Sequence, residues 1–190
     1  IARLRSGPEF RLAGDVYGPR LQPYVELMWS RDDVSFSGDY NAVALGFAYQ
    51  NPHDAYWTSY ADVQIGRADP RDSFASDFDF YDINLGVGFR PSRETRIRGT
   101  LGWRREDVDD TFSSYQTTRS LRIEALHNFD TGWQALPRRW EARAWALLSS
   151  VEEGDDFGVF NDYDDTGYGL GLRAFVTEDL FVEARGARLE

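Results

Sequence analysis

The chain contains no cysteine, which excludes disulfides, thiolate metal sites and cysteine nucleophiles together. It has only two histidines, His53 and His127. No segment approaches the roughly 18 apolar residues that a membrane-spanning helix requires, and no 3.6-residue apolar stripe marks an amphipathic helix. Basic residues are in deficit, 21 against 32 acidic ones, giving a net charge of -11 and a pI near 4.6. Nucleic-acid binding draws its affinity from Lys and Arg neutralising phosphates, so nucleic acid is excluded as a partner. The start at Ile1 shows no signal-peptide pattern, so an exported form would be mature or trimmed.

What is present is apolar and aromatic material with many turn formers. Hydrophobic residues make up 42% and aromatics 15% of the chain, enough to exclude intrinsic disorder, and 17 glycines with seven prolines punctuate it often. A length of 190 residues suits one domain, 1–190.

From Asp79 to Arg90 the sequence alternates strictly. Tyr81, Ile83, Leu85, Val87 and Phe89 share one face, and Asp82, Asn84, Gly86, Gly88 and Arg90 the other. A period of two is a strand. The pattern recurs with Ile97, Leu101 and Trp103 against Arg96, Arg98 and Arg104, and with Tyr168, Leu170, Leu172 and Ala174 against Gly167, Gly169, Gly171 and Arg173. Strands are expected near 9–17, 21–31, 40–50, 55–67, 79–90, 95–107, 115–128, 139–150, 167–176 and 180–188. Most run about 10 to 13 residues, longer than soluble sheets use and matched to a tilted bilayer crossing.

Connections alternate as well. Gly18-Pro19-Arg20, Asn51-Pro52-His53-Asp54, Pro91-Ser92-Arg93-Glu94 and Thr177-Glu178-Asp179 read as tight turns. Acidic segments near 32–39, 68–78, 108–114 and 151–166 read as longer loops at the opposite end, and 129–138 is a moderately long connection on the short side. The expected fold is all-β: a closed antiparallel transmembrane β-barrel of about ten strands (roughly eight to twelve), wound as an up-and-down meander.

Three features place the apolar face outward. Small residues occupy the polar face, where a narrow interior is crowded. That face mixes both signs, in Glu26, Asp62, Arg96, Arg98, Arg104, Arg122, Glu124, Glu141, Arg143, Arg173, Glu183 and Arg185, a candidate lumen charge network. Large aromatics fall at two heights: Tyr49, Trp57, Phe89, Phe129 and Trp140 near the short turns, Trp29, Tyr81, Trp103, Tyr115 and Tyr168 near the loops. Two such girdles are expected at membrane interfaces.

The segments DFYDINLGVGFRP, TRIRGTLGWRRED and TGYGLGLRAFVTEDLFVEARG resemble strands of the small outer-membrane β-barrel proteins, the outer-membrane protein A-like or porin-like group. The resemblance covers nearly the whole chain as a pattern. It implies a location in the bacterial outer membrane of a Gram-negative cell envelope and carries over no functional residue. Such barrels begin and end on the short-turn side, whereas the strands above put both termini with the loops. A circularly permuted or trimmed chain would account for that.

The histidines lie at the short-turn end, away from the rim where barrel hydrolases work, so no catalytic residue and no enzyme is expected. Asp162, Asp164 and Asp165 begin like a calcium loop, but Arg173 stands where the closing Glu belongs; they are weak metal candidates in a solvated loop. No cofactor is expected. The leading expectation is an outer-membrane protein of structural or surface-interaction type with a charge-filled lumen, its partners membrane lipid and lipopolysaccharide, with a small solute or surface ligand at the acidic loops. A narrow passive pore and a soluble lipid-binding barrel are the alternatives.

Overall fold

A computed structural model describes residues 2–12, 18–30, 40–70, 76–108, 114–132, 139–155, 157–175 and 181–189. Among them there are eleven strands and no helix: β1 Ala2–Ser6, β2 Phe10–Arg11, β3 Arg20–Ser30, β4 Tyr40–Pro52, β5 Trp57–Pro70, β6 Phe78–Phe89, β7 Thr95–Val108, β8 Tyr115–Asp130, β9 Arg139–Asp155, β10 Gly158–Phe175 and β11 Phe181–Leu189. Every neighbouring pair is antiparallel, in the order β1-β3-β4-β5-β6-β7-β8-β9-β10-β11, with β2 also on β3. The chain is therefore an all-β up-and-down meander. The described residues form no ladder between β1 and β11, so the sheet as seen is open rather than closed.

The expected first strand at 9–17 is displaced. Pairing begins at Ala2 opposite Trp29 and runs to Ser6 opposite Val25, then resumes at Phe10 opposite Leu21. The register does not shift across the gap, so β1 and β2 are one strand interrupted where Pro8 comes level with Pro23. Neither proline has an N–H for the ladder. Gly7 meets the Pro23 carbonyl so closely that any Cβ would collide with it. Residues 13–17 lie outside the described set, as do the turn 177–179, the segment 32–39, and parts of 68–78, 108–114 and 129–138.

The segment 151–166, expected as a loop, is strand. β9 continues through Asp155 and β10 starts at Gly158, with a register irregularity between Val159 and Asn161. The Asp155 carboxylate accepts from the backbone N–H of Phe157 at 2.8 Å and of Gly158 at 3.2 Å, and Gly158 takes a φ of 142°, a region open to glycine. Glu153 is satisfied from the strands on both sides: Gln116 of β8 and Asn161 of β10 donate to it, at 2.8 and 3.0 Å. Polar composition was misleading because these partners stand on neighbouring strands, invisible to a local reading.

The short turns follow their side chains. Asp54 accepts from the N–H groups of Tyr56 and Trp57, both at 2.7 Å, and the Ser92 hydroxyl accepts from those of Glu94 and Thr95. A hydrogen bond from Ser92 also holds the exposed Glu94 carboxyl below the usual carboxylate range. The buried apolar cluster, Met28, Tyr40, Ala42, Ala44, Ala68, Phe78 and Phe80, lies on β3 to β6, on the face that carries the charges.

Candidate functional site: two faces of one sheet

One face is apolar and exposed. Leu45 is 59% accessible, Leu85 50%, Leu101 59% and Leu170 70%. Its upper edge, toward the long connections, is formed by Val43, Ile65, Tyr81, Trp103, Leu121, Leu148 and Tyr168. The next residue on the same face is polar every time: Asn41, Arg67, Asp79, Arg105, Arg119, Ser150 and Thr166. Its lower edge is formed by Tyr49, Trp57, Phe89, Ile97, Phe129, Trp140 and Ala174, and within it only Ser59, Gly99 and His127 break the run of Ala and larger apolar residues.

This band is slanted against the hydrogen-bond rungs. Between β4 and β10 its upper edge slips toward the short turns four times by two residues, at β4 to β5, β6 to β7, β7 to β8 and β9 to β10. The lower edge slips twice by four, at β4 to β5 and β7 to β8. Both edges thus descend eight residues over six strand-to-strand steps, and the band keeps its height. At about 3.3 Å per residue and 4.8 Å between strands, that slope tilts the strands by about 40° from the band's normal.

The girdle residues lie on this face. Trp57 stacks on Phe89 with centroids 4.4 Å apart, and Phe129 lies parallel to Trp140 at 6.3 Å. Above the band the face turns ionic, with Arg67 to Asp77 at 3.1 Å, Arg105 to Asp107 at 2.7 Å and Arg119 to Glu152 at 3.8 Å.

The opposite face carries the charges. Glu26, 2% exposed, receives Arg5 at 2.9 Å, and the same guanidinium reaches Asp62, two strands farther on, at 2.9 Å. The Tyr24 hydroxyl donates to Asp62 at 2.7 Å. Gln64 links onward to Asp82, which Arg104 approaches at 3.8 Å while bonding Glu106 at 2.6 Å. A second group joins β9 to β11: Arg143 to Glu141 at 3.2 Å, Arg173 to Glu141 at 3.8 Å and to Glu183 at 3.1 Å, and Arg185 to Glu183 at 2.5 Å. Arg122 holds Glu124 at 3.0 Å. Among the described residues no carboxylate pairs with Arg96 or Arg98; Arg98 lies over the Tyr60 ring, 3.8 Å from its centroid.

Sequence reasoning missed Arg5, Tyr24, Tyr60, Gln64, Asp82 and Glu106 as members of these networks. The findable signal was glycine. Tyr24, Tyr60, Phe80 and Trp145 lie directly opposite Gly46, Gly86, Gly66 and Gly169 in register. In each case a Cβ on the glycine would enter the aromatic ring. The glycines let large rings lie flat across the neighbouring strand, which covers the charged face with aromatic area.

The two histidines are held apart, His53 on Ser59 at 3.0 Å and His127 on Thr95 at 2.9 Å. The weak metal candidates do not converge: by strand alternation Asp162 and Asp164 share the apolar side and Asp165 the other. Among the described residues no three side chains are placed to hold a metal ion. None of the family models, curated proteins or solved structures compared with the chain matches it.

Proposed function

We propose that this chain is a membrane-spanning β-barrel of the bacterial outer membrane, closed by its first and last strands, with a structural or surface-interaction role rather than a catalytic one. The observation that carries the reading is the slanted apolar band. It holds one height across seven strands, and its slope of about 40° matches the strand tilt of transmembrane barrels. A contiguous apolar surface of this extent is foreign to water-soluble monomers, and a soluble lipid-binding barrel would turn it inward.

The inner face favours a filled interior over an open channel. Tyr24, Tyr60 and Phe80 lie across it, with arginines over their faces, and ion pairs bind strand to strand beside them. At the upper rim Arg67, Arg105 and Arg119 stand where lipid phosphates begin, which suits lipopolysaccharide as a partner.

Refolding the chain into detergent micelles or vesicles tests the assignment. β-Type circular dichroism and heat-modifiable gel migration are expected; a chain monodisperse in detergent-free buffer defeats the reading. Planar-bilayer recordings then separate the structural role, which predicts silence, from a narrow pore, whose discrete openings respond to Arg143→Gln.

A further inference from the structure

We propose that the inner face carries a binding site for a small oxyanion, a phosphate or carboxylate group, at the short-connection end between β3 and β7. The site is a cavity of about 220 Å³. Arg5, Arg20, Arg98, Gln22 and Gln50 supply its donors, Tyr60 lines it, and Glu9 and Asp62 are its carboxylates. Three guanidiniums therefore face two carboxylates, in a chain whose net charge is -11.

Two of the three are committed, Arg5 to Glu26 and Asp62 and Arg20 to Glu9 at 3.5 Å. Arg98 differs. The register sets it opposite Glu124, but Glu124 is bonded by Arg122 at 3.0 Å. Arg98 rests instead on Tyr60, whose hydroxyl donates to the Gly99 carbonyl at 3.0 Å and lies close to the Thr100 hydroxyl. Gly86 leaves room for that ring. The ring covers one face of the guanidinium, and Arg98 also lines the cavity. A planar fork held this way matches a carboxylate or phosphate with two parallel hydrogen bonds. The volume is below that of drug-sized pockets, which limits the ligand to a small anion or the anionic end of a larger solute.

The inference extends the proposed function by naming what its interior would hold. Titration of the folded full chain with inorganic phosphate and with succinate, by calorimetry at low salt, tests it. Saturable binding of either anion is expected. Arg98→Gln should weaken it about tenfold or more, Arg98→Lys less, and Arg185→Gln, the same charge change on β11, should leave it unchanged. No saturable binding of either anion overturns the proposal, as does equal weakening by Arg98→Gln and Arg185→Gln. Wild-type binding and the Lys variant decide the matter if Arg98→Gln fails to fold. A chain that folds in detergent and binds neither anion defeats this inference alone; one that binds them in detergent-free buffer defeats the membrane reading alone.

Discussion

The charged faces of β3–β7 and β9–β11 are built differently. Between β3 and β7, Met28, Phe78 and Phe80 are buried, and the rings that lie over glycines carry guanidiniums on their faces. Between β9 and β11 the strands are tied by an Arg-Glu ladder, Glu141-Arg143-Arg173-Glu183-Arg185, in which Arg185 is 66% exposed. The first arrangement removes apolar area from water and encloses its own ion pairs, Glu26 at 2% exposure among them, so salt touches it less. The second depends on partly solvated ion pairs, which are individually weak and screened. One face of one sheet thus has a part held by packing and a part held by charge.

Substitutions should break this contrast in graded fashion. Phe80→Ala removes a fully buried ring packed over Gly66 and beneath Arg104, and should cost about 3–5 kcal/mol in denaturant unfolding of the refolded protein. Leu85→Arg tests the other face: in a bilayer it should cost about 2–4 kcal/mol, and in a water-exposed sheet almost nothing. Glu26→Gln removes the acceptor of Arg5 and should cost about 2–3 kcal/mol, less than a fully buried pair, because Arg5 keeps Asp62. Gly86→Ala pushes a methyl into the Tyr60 ring and should cost about 1–3 kcal/mol while lifting Arg98 off its platform. Glu183→Gln, in the ionic region, should shift the unfolding midpoint least of the five, and that small loss should vanish at high salt. If Glu183→Gln rivals Phe80→Ala, the contrast fails.

Periodicity made most of the fold legible. Strict alternation of the kind seen at 79–90 has no helical interpretation, and β3 to β8 start or end within a few residues of the expected bounds. What was hidden depends on partners distant in sequence. The acids of 151–166 looked like a loop because Gln116 and Arg119, their cross-strand neighbours, lie more than thirty residues away. The first strand was misplaced because two prolines facing each other interrupt a ladder that no local window contains. The charge network was read as a set of residue types, and the structure adds which ones meet: Arg5, outside every expected strand, is its busiest member, while Arg98 has been left to an aromatic ring.

The slanted band sets a length scale for the surroundings. On β6 the apolar run from Tyr81 to Phe89 spans eight residue steps, about 26 Å along the strand. Projected through a tilt of about 40°, that becomes a height near 20 Å, which for the proposed membrane barrel is short of the ordinary bilayer's roughly 30 Å. Lipids with short acyl tails would match it without deformation, whereas long-tailed ones would have to thin around the protein. Bacterial outer membranes are thinner than average, so under the proposed function mismatch would favour them over thicker bilayers.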